Sequence, residues 1–426
     1  MKKFLLSILL SLPLLALAQE NYTISGYIED SNSRERLIGV NVYVPGTSIG
    51  TSTNTFGFYS LTVREPKVKV MISYVGYETQ SLELELEGNL SQDISLEELP
   101  QSLAEVTVTA EQIEALKPQM STIQLSTKDI KNIPAFLGEV DVIRAIQLLP
   151  GVQSGSEGTT GFYVRGGSPD QNLILLDGVP VYNASHLFGF FSVFNADAIK
   201  NVQLTKGGFP SRFGGRLSSV LEIDMKEGNL REFHGAGSLG IISSKLTLEG
   251  PLVKDKTSFI ISGRRTYYDL LIRPFLPPDL TVGYYFGDLN LKLNHIFSRK
   301  DRLYLSYYGG NDKFYQRESY DGYGYEENFE SNLQWGNHTG SLRWNHLFNE
   351  KLFSNLTATY TQYRFSVGFK EEYDNQTDGF EYFSLIRDYG LRYDLEYRPN
   401  SDHSLRFGGN YTYHTFKPGV AQFEGG

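Results

Sequence analysis

The sequence predicts a mainly β protein in three parts: an N-terminal β-sandwich, a mixed α+β middle domain, and antiparallel transmembrane strands of an incomplete β-barrel. Three observations carry this. Aromatic residues jump from 19 in residues 1–230 to 38 in residues 231–426. In the second stretch they alternate with polar residues: Tyr389, Leu391, Tyr393, Leu395 and Tyr397 share one face, and Gly390, Arg392, Asp394, Glu396 and Arg398 the other. A period of two with apolar residues on one side and charges on the other marks a strand between two different solvents. Finally, no stretch after the N-terminus approaches the ~20 apolar residues of a spanning helix, so any crossing is made with strands.

The chain opens as a secretory signal over residues 1–18. Lys2 and Lys3 supply the positive region, Phe4 to Leu17 is nearly all apolar, and Ala16-Leu17-Ala18 offers small residues for cleavage before Gln19. The apolar run is short for a membrane helix, contains Pro13 and meets polar residues at once.

Residues 19–99 read as a small β-domain. Runs at Tyr22–Ile28, Val40–Val44, Phe56–Val63 and Val68–Tyr74 are separated by Gly, Asn, Ser and Pro, which predicts a sandwich of seven strands. The run ISGYIEDSNSRERLIGVNVYVPGTSIGTSTNTFGFYSLTV, followed by MISYVGYETQSLEL, resembles the carboxypeptidase-like regulatory domain of Bacteroidetes surface proteins. Asn54 departs from it, standing where that family often has Asp before the Phe-Gly turn, a change expected to matter little. The residues argue against a zinc peptidase here. The chain has no cysteine and its first histidine is His186, so this domain has neither imidazole nor thiolate for zinc.

Residues 100–114 form a linker. Within it Glu105, Val106, Thr107, Val108, Thr109 and Ala110 make a short β-branched run in polar surroundings. On composition alone it is either one more sandwich strand or an extended segment suited to pairing with another protein's sheet edge.

Residues 115–230 are glycine-rich, with one short helix expected over Val140–Leu149 and strand fragments at Gly161–Arg165, Leu173–Leu176 and Asn201–Thr205. The runs GFYVRGGSPDQNLILLDGVPVYN and AIKNVQLTKGGFPSRFGGRLSSVLEI resemble the plug domain of TonB-dependent outer-membrane receptors. The matching residues are Arg165, Gly166 and Gly167, then Asp177 and Gly178, then Lys206, Gly207 and Gly208, and Phe213 and Gly214. Many receptors have Tyr-Gly in place of Phe213-Gly214. By this resemblance Arg165 and Asp177 belong to the motif core, with a structural role rather than substrate contact. The resemblance also decides residues 105–110: EVTVTA is similar to the TonB box that precedes the plug.

Other chemistry finds no support. The glycine-rich run Gly155 to Gly161 lacks the Lys-Ser or Lys-Thr of a phosphate loop. The histidines at 186, 234, 295, 338, 346, 403 and 414 show no HxH or HExxH spacing and read as interfacial or pore-lining. A net charge of -10 without a Lys/Arg block argues against nucleic acid as a partner. No enzyme activity, cofactor or metal is implied.

Residues 231–426 predict eight strands, near Gly235–Glu249, Thr257–Thr266, Tyr284–Phe297, Arg302–Gly310, Gly336–Phe348, Lys351–Gly368, Glu381–Arg398 and His403–Phe416. Ser298 to Asp301 and Asn349-Glu350 are expected as short periplasmic turns, Lys313–Gln334 and Lys370–Phe380 as long polar outer loops. A barrel of ~8 strands has room only for its own side chains, whereas plugged barrels have ~22. The expectation is therefore the N-terminal part of a longer receptor.

The resemblance implies an outer-membrane transporter importing a scarce nutrient (siderophore, vitamin, glycan or peptide). Its partners would be periplasmic TonB by strand addition, outer-membrane lipids and a surface lipoprotein. The alternative is a signalling or adhesion receptor anchored by the barrel. In both, the N-terminal domain lies in the periplasm.

Overall fold

The computed structural model describes residues 21–99, 122–133, 139–155, 160–322, 325–373 and 376–425. The expected signal peptide and the segment Glu105 to Ala110 lie outside them. The chain divides into two compact units, and the first joins the N-terminal domain with Leu347–Ser354 and Leu395–Phe407.

The N-terminal domain has strands β1 Tyr22–Asp30, β2 Asn41–Tyr43, β3 Gly50–Ser52, β4 Phe58–Val63, β5 Lys67–Ser73, β6 Gln80–Glu85, β7 Leu90–Ser91 and β8 Ile94–Leu96. They form two four-stranded sheets, β4-β1-β7 with β8 also on β1, and β3-β2-β5-β6. Ile24, Ile28, Tyr59 and Leu61 from the first sheet pack with Val42, Val70 and Ile72 from the second. The expected seven strands become eight because one edge is split. β7 pairs with Ile24 and Ser25, and β8 with Ile28 to Asp30. Between them the chain crosses Gly26, where a Cβ would lie 2.1 Å from the Gln92 carbonyl oxygen. Only glycine lets the backbones approach so closely.

The second unit begins with the plug strands β9 Thr122–Ser126, β10 Val152–Ser154, β11 Phe162–Val164, β12 Asn172–Leu176, β13 Val179–Pro180, β14 Ser185–His186, β15 Phe191–Ser192, β16 Ile199–Lys206 and β17 Ser219–Met225. Its main sheet runs β13-β12-β17-β16-β9. The expected helix forms over Val142–Gln147, capped by Asp141, whose carboxylate accepts the N–H groups of Ile143 and Arg144. Its buried residues Val142, Ile143, Ala145 and Ile146 join Val202, Leu204, Leu221 and Ile223 of the sheet in one core.

Nine strands follow: β18 His234–Leu239, β19 Ser243–Val253, β20 Thr257–Thr266, β21 Leu280–Ile296, β22 Asp301–Gly322, β23 Tyr325–Asn349, β24 Leu352–Tyr373, β25 Gln376–Tyr397 and β26 Leu405–Gly425. They make one open sheet in chain order, with β18 and β26 at its edges. The pattern is inside-out. On β21, Asn290, Lys292 and Asn294 are buried while Leu289 and Leu293 are exposed. On β25, Tyr389, Leu391, Tyr393 and Tyr397 are exposed and Asp388 and Glu396 buried. Apolar residues outside and polar residues inside suit a wall between lipid and a protein-filled lumen.

Two expectations fail here. Gly235–Glu249 is a hairpin of β18 and β19 rather than one strand, so nine strands replace eight. The polar stretches read as outer loops are largely strand. The β22–β23 ladder continues through Lys313↔Gln334 as far as Gly322↔Tyr325. β24 and β25 likewise reach Tyr373 and Gln376. These stretches interleave aromatic and charged residues irregularly, so a period of two does not show, although Phe314 and Leu333 pack beside Trp335. Cross-strand polar pairs hold them: Arg317 lies opposite Glu330 with 3.2 Å between charges, and Ser319 donates to Asn328 at 2.7 Å.

Candidate functional site: the seam between plug and strands

The plug meets the wall through buried charges at three levels. The central one starts from local backbone chemistry. Asp177 and Gly178 form the turn between β12 and β13, both with positive φ (48° and 80°). Asp-Gly is the pair that tolerates this in a two-residue hairpin turn. The turn carries the Asp177 carboxylate to the wall. It accepts from Lys292 Nζ of β21 at 2.9 Å and from Ser306 Oγ of β22 at 2.6 Å. It also accepts the N–H of Met225 at 3.0 Å, and the Asp177 carbonyl takes a 2.6 Å bond from Arg343 of β23. Burial alone would raise its pKa, but Lys292 and Arg343 outweigh that and hold it below the usual carboxylate range.

A second level centres on His186 of β14. Its Nε2 lies 2.7 Å from Asp288 of β21 and its Nδ1 2.5 Å from Asp312 of β22. With a carboxylate on each nitrogen, the ring must carry both protons and is a cation. Arg264 of β20 supports Asp288 at 2.6 Å, Tyr284 donates to Asp312, and Phe286 stacks on the imidazolium at 4.3 Å. Burial would lower the His186 pKa, yet the two carboxylates push it up to about 9. At the third level Arg302 of β22 reaches Glu227, just after β17, at 2.8 Å. Breaking one side of such a buried pair strands the other charge, so these contacts fix one position of the plug.

The expected plug-motif residues are not gathered in one place. Asp177 and Gly178 sit at the seam. Arg165 (φ 51°) and Gly166 (φ 82°) turn the chain after β11, and a Cβ at Gly207 would meet the Arg165 guanidinium at 3.1 Å. Gly167 has a tight fit too, a Cβ there falling 2.4 Å from Ser218 Oγ. Lys206 donates to the Pro150 carbonyl at 2.5 Å. Gly208, at φ 60°, continues the turn after β16 that leads to Phe213 and Gly214. Phe213 packs with Leu175 and Val220 in a small separate cluster. His186, read from sequence as interfacial or pore-lining, is buried in the seam at 1% exposure. The signal that could have found its partners is the alternation itself, which aims Asp288 and Lys292 inward from β21.

Residues 24–108 match the CarboxypepD_reg-like domain family, and residues 114–219 match the TonB-dependent Receptor Plug Domain family. The chain carries two domains of a TonB-dependent outer-membrane receptor. It is thus an outer-membrane β-barrel protein with its N-terminal domain on the periplasmic side. The receptor is 27% identical over 289 residues to the TonB-dependent receptor SusC of Bacteroides thetaiotaomicron, an alignment covering 62% of this chain and 26% of that protein. Among solved structures it is similar to the siderophore receptor PirA of Acinetobacter baumannii, at 14% identity and TM-score 0.36, covering 69% of this chain and 61% of that one. It is also similar to the ferric yersiniabactin uptake receptor FyuA of Yersinia pestis, at 13% identity and TM-score 0.35, covering 72% and 62%. The chain therefore spans only part of the length of each of these relatives.

Proposed function

We propose that this receptor imports a scarce nutrient by TonB-driven rearrangement of its plug. The observation that carries the reading is the seam: a separate sheet domain held against lumenal side chains by buried ion pairs, beside an aromatic cluster of Phe191 with Tyr284, Phe286 and Trp335. Ionic contacts of this kind hold one geometry firmly and re-form after displacement, which a reusable gate needs.

In this reading 1–18 is the signal peptide, 19–99 the regulatory domain, 100–114 the linker, 115–230 the plug and 231–426 the barrel part. Residues 105–110 are the TonB box, pairing with TonB by strand addition. Tension on that segment would first meet β9, an edge strand bonded only to β16 in its sheet. Peeling an edge strand breaks few bonds at a time, so it is the point of least resistance. Arg165, Gly166, Gly167, Lys206, Gly207, Gly208, Phe213 and Gly214 shape the plug, while Asp177 and Gly178 tie it to the wall. The substrate is a siderophore, vitamin, glycan or peptide, delivered with the help of a surface lipoprotein.

The test is energised uptake by the full-length receptor with residues 105–110 deleted. Loss of uptake with normal membrane insertion is expected. Undiminished uptake would sink the assignment.

A further inference from the structure

Asn54 stands in the turn before β4. Its side-chain oxygen accepts the N–H groups of Phe56 at 2.9 Å and Phe58 at 3.1 Å, a role Asp fills equally well. Its amide nitrogen does something Asp cannot: it donates to the Glu396 carboxylate at 3.3 Å, within the first compact unit. Around this bond lies a small interface. Phe56 and Phe58 stack on Phe353 with ring centroids 5.4 and 5.3 Å apart, and Tyr27 and Leu347 complete a buried cluster. Polar contacts rim it. Ser60 Oγ donates to the Glu350 carbonyl at 2.8 Å. Arg398 pairs with Glu396 at 2.5 Å and also donates to Thr51. An aromatic centre with a bonded polar rim is the anatomy of a specific interface.

We propose that the Tyr27, Phe56 and Phe58 face of the sandwich is a docking surface for the chain's own turn segments Leu347–Ser354 and Leu395–Phe407, and that Asn54 is the residue that permits docking. A carboxylate at 54 would keep the turn but set a like charge beside Glu396 in a site shielded from water, where repulsion is strongest. The amide converts that repulsion into a hydrogen bond. Arg398 and the half-exposed Arg406, at 3.6 Å, already serve Glu396. The regulatory domain is in this view a strap with a specific seat, whatever the receptor imports.

Residues 1–426 hold no cysteine, so two introduced here have no competing thiol within this stretch, and the receptor without them serves as the blank. In the full-length receptor in outer membranes, Ser60→Cys with Glu350→Cys should cross-link on mild oxidation. Adding Asn54→Asp should slow cross-linking about tenfold. Adding Glu396→Gln to that variant should restore it, which separates charge repulsion from misfolding. Failure of the parent pair to cross-link, an Asn54→Asp rate equal to the parent's, or no rescue by Glu396→Gln would each overturn the proposal.

Discussion

Lys292 of β21 and Asp177 of the plug meet at 2.9 Å, with both side chains almost wholly shut off from water. Neither charge has water to fall back on, so each depends on the other. Asp177→Ala should destabilise the plug by about 3–5 kcal/mol, because Lys292 is left buried without its carboxylate, keeping only the Met225 carbonyl at 2.9 Å. Pairing Asp177→Leu with Lys292→Met should recover most of that loss. Chemical denaturation of the purified receptor, followed through tryptophan fluorescence, checks both.

The His186 clamp sets a pH dependence. Its pKa is raised from near 6.5 to about 9 in the folded receptor, so its contribution is full below pH 6.5 and falls away as pH rises through 9. The groups facing the ring are Asp288 and Asp312, with Arg264 and Tyr284 behind them. Thermal unfolding from pH 6 to 10 should show a decline across that window in the native receptor. The decline should be largely absent in His186→Gln.

Gly228 links the last plug strand to the wall. Its φ is 79°, and a Cβ there would lie 2.3 Å from the Phe259 carbonyl oxygen of β20. Gly228→Ala must therefore move backbone, at a cost of ~1–3 kcal/mol or more. A lowered melting temperature measures it, with Gly166→Ala as comparison: its φ is 82° but nothing lies within 4 Å.

Leu289 faces outward near the middle of β21. Leu289→Arg should destabilise the membrane-inserted sheet by ~2–4 kcal/mol, the cost of a cation against lipid at mid-depth. Refolding into bilayers at graded urea reads this directly.

How much of this was legible beforehand depended on whether the two faces of a segment differ. On β21 and β25 one face meets lipid and the other the lumen, so Leu289, Leu293, Tyr389 and Tyr393 announced strands without any knowledge of their neighbours. Lys313 to Gln334 mixes charged and aromatic residues without a regular alternation, although Phe314 and Leu333 pack beside Trp335. Its strands exist because Arg317 finds Glu330 and Ser319 finds Asn328 across the ladder, and nothing in one strand names its partner.

The sequence by itself determined the alternating faces of the strands, as on β25, where Tyr389, Leu391 and Tyr393 share one side. Those depend on local backbone preference and a period of two. Only the tertiary structure decided that Asp177 spends its charge on Lys292 of β21, that His186 is a buried cation between two carboxylates, and that Asn54 faces Glu396. The last pair are 342 residues apart in the chain. Electrostatics acts over a few ångströms of space, and sequence distance says nothing about which charges the fold brings that close.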